Sequence, residues 1–361
     1  MQLGIVGLPF SGKSTLFQAV TKTHLDPSSA GKTDSHLGVI KVPDARLDRC
    51  SEMFSPKSTV YATIELVDVP GLKKGTSGTA QFTTGFLSAV KTNDALIQVV
   101  RLFRNDAVPH PDGSIDPLRD VATFETEFIL ADMAVLESRV EKIHKQIGRT
   151  HDEQMKKELP VLEKCLTVLQ AERPLRNEDL SPEELHLLKT YQLLSLKPML
   201  IALSLDETQQ SVMDEEVGRV ASEKAGLRTR VIAFFGKIDL EISELSADEA
   251  RMFLDEYGIK ESAIDTLIRE AYALLGLQSF LTVGEDECRA WTIRAGMSAQ
   301  EAAGVIHSDF VNKFIRAEVV HYDDFIAAGG SFAKAKEGGH WRLEGKNYIV
   351  QDGDILNIRH S

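Results

Sequence analysis

Gly7-Leu8-Pro9-Phe10-Ser11-Gly12-Lys13-Ser14-Thr15 follows a short apolar run, Met1 to Val6, and precedes Leu16-Phe17-Gln18-Ala19-Val20, which reads as a helix start. The pattern is G-x-x-x-x-G-K-[S/T] between a strand and a helix, the setting its chemistry requires. Its glycines let the backbone curl so that successive N–H groups point inward at phosphate oxygens. The helix that follows adds its positive end. Lys13 is placed to bridge the outer phosphates and the Ser14 hydroxyl to hold Mg²⁺. Leu8, Pro9, Phe10, Ser11, Gly12, Lys13, Ser14 and Thr15 are therefore the expected nucleotide-binding loop.

The bulk numbers agree with a chain of this kind. At 361 residues it has room for two or three domains, and 43% hydrophobic with 26% charged residues is ordinary globular composition. No stretch reads as a membrane span or a signal peptide, so a cytoplasmic protein without a membrane partner is expected. Cys50, Cys165 and Cys288 are too far apart for a metal or redox motif and are expected as buried thiols. A net charge of −13 argues against DNA or bulk nucleic-acid binding, so any RNA contact needs a local basic surface.

Downstream of the loop, Thr21 to His36 is polar and without period, and reads as a mobile segment. In nucleotide switches such a segment carries a Thr that completes the Mg²⁺ shell; Thr33 is the candidate, with Thr23 as the alternative. Val39 to Val42 reads as a strand. Tyr61 to Val67 is a second one, ending in Asp68-Val69-Pro70-Gly71. Asp68 at a strand end can hold Mg²⁺ through water, and the Gly71 N–H can sense the γ-phosphate. The next residue is Leu72, where small signalling GTPases carry a Gln that orients water. Lys13, Gly71 and Leu72 thus mark the expected catalytic centre, with slow intrinsic hydrolysis and no side chain that serves as general base. Asp94 to Arg101 is a third buried strand, and near-continuous apolar runs separated by helices indicate a parallel sheet.

Gly7 to Thr15, Asp68 to Leu72 and Val99-Val100-Arg101-Leu102-Phe103 together resemble the YchF-type branch of the Obg-related translation-factor NTPases. Arg289-Ala290-Trp291-Thr292-Ile293, Ala302 to Phe310, Phe314 to Val319 and Gly345 to Ile355 extend the likeness over nearly the whole chain. The resemblance implies an α/β P-loop NTPase domain with an inserted antiparallel coiled-coil hairpin and a C-terminal TGS domain of β-grasp type. It further implies slow hydrolysis of ATP or GTP with Mg²⁺, binding to the ribosome and its RNA, and a hydrophobic residue where Gln is expected, as Leu72 is. Two departures stand out. Relatives usually carry Asn-Val at the positions of Phe10-Ser11; that Asn can help hold an activating K⁺, so K⁺ dependence is in doubt here. The segment Lys32 to Gly38 matches loosely, which weakens the role of Thr33.

The expected division is 1–123 and 196–275 for the nucleotide-binding domain, 124–195 for the helical insert and 276–361 for the TGS domain. In the insert, Ile129, Met133, Leu136, Val140, Ile143 and Ile147 alternate steps of four and three. Met155, Leu159, Leu162, Leu166 and Leu169 repeat the pattern after a polar turn, as a two-helix hairpin requires. Pro160 should kink the second helix or mark its start.

The base is expected at the end of a fourth strand, Pro198 to Leu203. Guanine-specific enzymes have N-K-x-D there; this chain has Ser204-Leu205-Asp206-Glu207. Leu205 replaces the Lys that would lie over the base, and the final carboxylate, Glu207, is one methylene longer. Members of the resembled family have N-x-x-E and often prefer ATP, so ATP is expected to bind at least as well as GTP. A fifth strand, Val231 to Gly236, brings a backbone amide of Phe235 or Gly236 toward the base. In the tail, Ala247 to Leu275 carries helical spacing. Thr282, Val283, Trp291 and Ile293 suggest a hairpin, Ser298 to Ile306 a helix, and Tyr348 to Ile358 the last strands. His307 and Asp309 read as a structural pair. A metabolic kinase would need a substrate pocket and lid that the sequence lacks; a nucleotide-sensing adaptor with incidental turnover remains the competing reading.

Overall fold

The computed structural model describes residues 1–23, 36–69, 73–74, 80–146, 152–256 and 262–361. In chain order these form β1 (Gln2–Gly7), α1 (Lys13–Thr21), β2 (His36–Lys41), α2 (Ala45–Phe54), β3 (Ser58–Val60), β4 (Thr63–Asp68), β5 (Lys73–Lys74) and β6 (Ala80–Gln81). Next come α3 (Thr84–Lys91), β7 (Ala95–Arg101), α4 (Pro117–Gln146), α5 (Glu153–Gln170), α6 (Pro182–Leu188), β8 (Met199–Leu205), α7 (Met213–Lys224) and β9 (Thr229–Phe235). The chain ends with α8 (Gly236–Glu244), α9 (Ala247–Glu256), α10 (Ala263–Leu274), β10 (Leu277–Thr282), β11 (Glu287–Arg294), α11 (Ala299–Ile306), α12 (Asp309–Lys313), β12 (Phe314–His321), α13 (Tyr322–Ala327), α14 (Phe332–Glu337), β13 (Arg342–Glu344) and β14 (Asp354–His360). Two compact units result: Met1–Gly38 with Glu65–Leu274, and Val39–Ile64 with Leu275–Ser361.

The first unit is built on a six-stranded sheet in the order β2-β4-β1-β7-β8-β9. β1 pairs in parallel with β4 and with β7, and β8 pairs in parallel with β7 and with β9. β7 and β8 are buried along their whole length, which is why they read as near-continuous apolar runs, broken only by the buried Gln98, Arg101 and Ser204, rather than as alternation. Phe82, Phe86, Phe124 and Phe128 close one cluster over this sheet in edge-to-face contacts with centroids 5.0–6.2 Å apart.

α4 starts on that core, through Val121, Phe124 and Phe128, and then runs on as the first arm of the hairpin. The seam residues Ile129, Met133, Leu136, Val140 and Ile143 pack with Met155, Leu159, Leu162, Leu166 and Leu169, as the heptad spacing requires; Ile147 lies outside the described residues. The seam has a cover the spacing does not show: Leu175, Leu180, Leu185, Leu188, Tyr191 and Leu193 belong to the same cluster. Asp132, 1% exposed, anchors this return by accepting from the Leu194 N–H at 2.8 Å and the Ser195 N–H and hydroxyl, each at 2.7 Å. Pro160 does not mark the start of α5. That helix begins seven residues earlier at Glu153, capped by the Asp152 carboxylate on the amides of Gln154 and Met155.

Beneath the hairpin lies a buried ionic junction. Arg176, with no exposed side-chain surface, pairs with Glu125 of α4 and donates to the Thr229 hydroxyl at the start of β9, 3.1 Å away. Lys224 of α7 reaches the other Glu125 oxygen at 2.8 Å.

The second unit has its own six-stranded sheet, β13-β12-β14-β10-β11-β3. β10 and β11 form the expected hairpin. The last strand is only Asp354–His360; Tyr348 to Val350 precedes it as a bridge of Ile349 to Ser298. α2 and β3, expected in the nucleotide-binding domain, lie in this second unit. β3 pairs in parallel with β11, Thr59 opposite Cys288, and Lys57 meets Asp286 at 2.6 Å. Arg46 of α2 donates to Asp352 at 2.8 Å, and Phe54 stacks on Phe325 at 6.0 Å. The three cysteines are buried thiols as expected, with Cys50 pushed up to about 12 and Cys165 to about 11 by burial.

Candidate nucleotide-binding site

The candidate site collects at the C-terminal ends of the parallel strands: Gly7 ends β1, Asp68 ends β4, and Ser204 and Phe235 lie at the ends of β8 and β9. Ligands of open α/β sheets bind at that edge. The loop between β1 and α1 turns on a Ser11 N–H to Leu8 carbonyl bond of 3.3 Å. Gly12 takes φ 101°, and a Cβ there would lie 2.9 Å from the Ser204 hydroxyl; a Cβ on Gly7 would lie 2.5 Å from the Val99 carbonyl oxygen. Both glycines are therefore required by close approach as well as by conformation. α1 starts from Gly12 with no side-chain cap and no acidic residue in its first turn. Its first amides have no partner from a cap, so the positive end of the helix is left to an anion.

Phe10 is the exception to local comfort. It sits at φ 62°, a left-handed conformation that costs a bulky side chain about 1–2 kcal/mol, and its ring is 56% exposed. An Asn, the residue expected here from the resemblance, occupies that conformation far more readily.

Lys13 folds over the loop, donating from Nζ to the carbonyls of Gly7 at 2.9 Å and Leu8 at 3.0 Å. Burial pushes its ammonium down to about 8, with the Asp68 charge opposing. Burial also raises the Asp68 carboxyl, against the pull of Lys13 and His36. Register sets Asp68 beside Ile5 of β1, one strand from the loop, and Ser14 is exposed in the first turn of α1.

The base end is built from three strand ends. Ser204 is buried, 2% exposed. A Cβ on Gly236 would lie 3.5 Å from its hydroxyl and 3.6 Å from the Thr15 methyl, so Gly12, Thr15, Ser204 and Gly236 converge. Leu205 closes into the sheet core and offers only apolar surface where a Lys would be charged. Asp206 is the cap of the short helix Glu207–Val212, accepting from the Thr208 N–H at 2.9 Å, while Glu207 is exposed.

Of the two amides considered for the base, that of Phe235 is already used: it donates to Asp239 Oδ2 at 2.8 Å. Gly236 is the one left. Asp239 is a residue sequence reasoning missed, and burial pushes its carboxyl up to about 6. An acidic residue four positions after a strand-ending aromatic is its only signal. Phe103 was also missed as a site residue. Its N–H donates to the Ser204 carbonyl at 3.0 Å, its ring edge lies 3.8 Å from a Cβ at Gly12, and the buried Arg101 stacks on it at 4.5 Å. Thr33, Gly71 and Leu72 lie outside the described residues. His307 acts within its own turn, accepting from the Asp309 N–H at 3.2 Å.

A glycine-lined turn between strand and helix, a lysine folded over it and a carboxylate at the end of the neighbouring strand define a P-loop nucleoside triphosphatase of the GTPase type. Residues 2–131 accordingly match the MMR_HSR1 family, described as 50S ribosome-binding GTPase, and residues 277–361 match YchF-GTPase_C, described as a protein of unknown function. The ribosome-binding ATPase YchF of Bacillus subtilis is 42% identical over 99% of this chain and 98% of its own. Obg-like ATPase 1 of Gallus gallus is 35% identical, over 99% and 91%. The solved YchF GTPase of Schizosaccharomyces pombe superposes with a TM-score of 0.86 at 30% identity, covering 99% and 97%. This chain belongs to the YchF family.

Proposed function

We propose that the chain is a Mg²⁺-dependent nucleoside triphosphatase that takes ATP at least as well as GTP and works on the ribosome as a nucleotide switch. The observation that carries the reading is the phosphate loop itself, with its required glycines, its uncapped helix end and Lys13. The donor set suits a hard, oxygen-preferring divalent ion: the exposed Ser14 hydroxyl and, through water, Asp68, with Thr33 the candidate from the segment that orders around the γ-phosphate. Mg²⁺ there neutralises charge on the phosphates. Lys13 and the loop amides stabilise the charge that develops as the γ-phosphate leaves. Gly71 senses that phosphate. Leu72 supplies no group to orient water, so turnover is slow until a partner positions it. The Phe10 side chain offers no oxygen to a monovalent cation where relatives carry Asn, which argues against K⁺ dependence.

ATP acceptance rests on the base end. Phe103 provides apolar surface, Leu205 is buried in the core and presents no charge, Glu207 is an exposed carboxylate, Gly236 opens α8 with its amide, and none of the guanine-reading Lys and Asp is present. Relatives named ribosome-binding ATPases over nearly the full length support both the nucleotide and the ribosomal partner. The division into a nucleotide domain with a helical insert and a C-terminal TGS domain of β-grasp type belongs to the same reading. Affinities for labelled ATP and GTP, with sedimentation on ribosomes, test it. GTP binding tenfold tighter than ATP, or no co-sedimentation, overturns the corresponding half. Leu72 also favours a second reading, an adaptor whose turnover is incidental; hydrolysis unchanged by ribosomes would select it.

A further inference from the structure

One buried cation of the first unit has no counter-charge. Arg101 is the last residue of β7, is 2% exposed, and pairs with no carboxylate among the described residues. Its Nη1 has no hydrogen-bond partner at all. A guanidinium buried without a counter-charge costs stability, and an apolar side chain in its place is often no worse. Folding alone gives little reason for this arginine, and the phosphate chemistry does not use it.

What Arg101 does hold is the turn that carries Phe103. The guanidinium lies over the Phe103 ring, 4.5 Å from its centroid. Nε donates to the Phe103 carbonyl at 3.1 Å and Nη2 to the Asn105 carbonyl at 3.4 Å. The backbone before the ring is already fixed from the other side. The amides of Leu102 and Phe103 both donate to the Ser204 carbonyl, at 2.8 and 3.0 Å, and Gln209 Nε2 donates to the Leu102 carbonyl at 3.1 Å. The tilt of the ring and the turn after it are what remain for Arg101 to set. Phe103 is half-buried, and its ring edge lies 3.8 Å from a Cβ at Gly12, so the ring reaches from the guanidinium to the phosphate loop.

We propose that Arg101 is a positioning residue for the nucleobase: it backs the Phe103 ring so that cation, ring and purine form one stack. The cation takes one face of the ring and leaves the other to a planar partner. A stacked purine is held by its face and not by its edge, so adenine and guanine are both accepted, in keeping with the missing guanine-reading Lys and Asp. A lysine could not copy this, since a compact ammonium cannot lie flat on the ring while donating to two carbonyls. Nor is Arg101 itself an anion site: two of its nitrogens are spent on carbonyls and the side chain is closed to solvent. The inference rests on the base-end reading given above and adds to it the group that sets the stacking surface.

The test uses the full chain and two ligands with Mg²⁺: ATP, and inorganic tripolyphosphate, which offers the phosphate loop its chemistry without a base. Calorimetry gives both affinities and steady-state turnover gives KM and kcat. Arg101→Met should weaken ATP about tenfold and leave tripolyphosphate unchanged, with KM raised and kcat within about twofold. Arg101→Lys should recover only part of the loss. Phe103→Leu should lose as much, and Arg101→Met added to it should cost nothing further, because the two act through one ring. If the Met variant does not fold, the Lys variant carries the same comparison of ATP with tripolyphosphate. Unchanged ATP affinity in a folded Arg101 variant overturns the proposal. So does an equal loss for both ligands, which would mark a merely structural arginine, and so does additivity in the double variant. The wild-type chain separates the two claims. Tripolyphosphate bound as tightly as ATP sinks the base-end reading itself; a clear preference for ATP that Arg101→Met leaves intact sinks this inference alone.

Discussion

The two sheets of this molecule are assembled by different rules. In the first unit, β1, β7 and β8 are central and parallel, buried on both faces, and each shows in its own sequence as a near-continuous apolar run. In the second, β3 is a three-residue edge strand borrowed from a stretch 229 residues away, as the Lys57–Asp286 pair marks. The contrast teaches that burial writes itself into composition while edge pairing does not. The first unit concentrates polar exceptions, at Arg176, Asp132 and Asp239, where it positions the hairpin and the base loop. The second, among its described residues, buries only Ser279 and Asp354 of its polar side chains.

The largest effect that would sharpen this contrast is at the ionic junction. Arg176→Ala leaves Glu125 with Lys224 alone and empties a fully buried site, so a loss of about 3–5 kcal/mol in urea unfolding is expected. A loss under about 1 kcal/mol would mean that the junction contributes little more than a surface pair. Next, Lys13→Ala should lower nucleotide turnover at least a hundredfold, about 2.7 kcal/mol, with the fold intact by circular dichroism. Unchanged turnover would move the chemistry away from the first unit's strand ends.

Asp239 gives a pH signature. Its folded carboxyl titrates near 6 against 3.8 unfolded, so the folded state holds the proton longer and stability falls as pH rises from about 4 through 6. The loss is up to about 3 kcal/mol, and Asp239→Asn should abolish that segment of the pH–stability curve. A curve unaltered by the substitution would remove Asp239 from the account. The smallest effect is at the borrowed strand. Ser58→Pro deletes the N–H that donates to the Asp286 carbonyl at 3.3 Å and should cost about 1 kcal/mol in thermal stability, with ATP affinity unchanged. A larger fall in ATP affinity than in stability would break the contrast drawn here.

Much of the site was legible because phosphate binding needs a local backbone shape, and local shape is carried by neighbouring residues such as Gly7, Gly12 and Lys13. The hairpin seam was legible for the same reason, since period is local. What could not be read was long-range. Nothing in Ser58-Thr59-Val60 states that it joins Glu287 to Arg289 rather than the first sheet. The cover over the hairpin seam, from Leu175 to Leu193, lacks a heptad because it is built of short turns. The amide of Phe235 looked free until Asp239 was found on it, since a carboxylate one helical turn on is as readily a solvated residue.

The borrowed strand also sets an order of events during synthesis. A chain emerging from its first residue completes residues 39–64 long before their partners in β11 exist. At about 5–20 residues per second, the 229 residues separating Lys57 from Asp286 take roughly ten to fifty seconds to add. Through that interval the nascent protein carries α2 and β3 as an unclaimed segment looped out between two strands of its first sheet. Its final folding step is therefore a capture of early chain by late chain, and a truncation that stops before β11 leaves this segment with nothing to join.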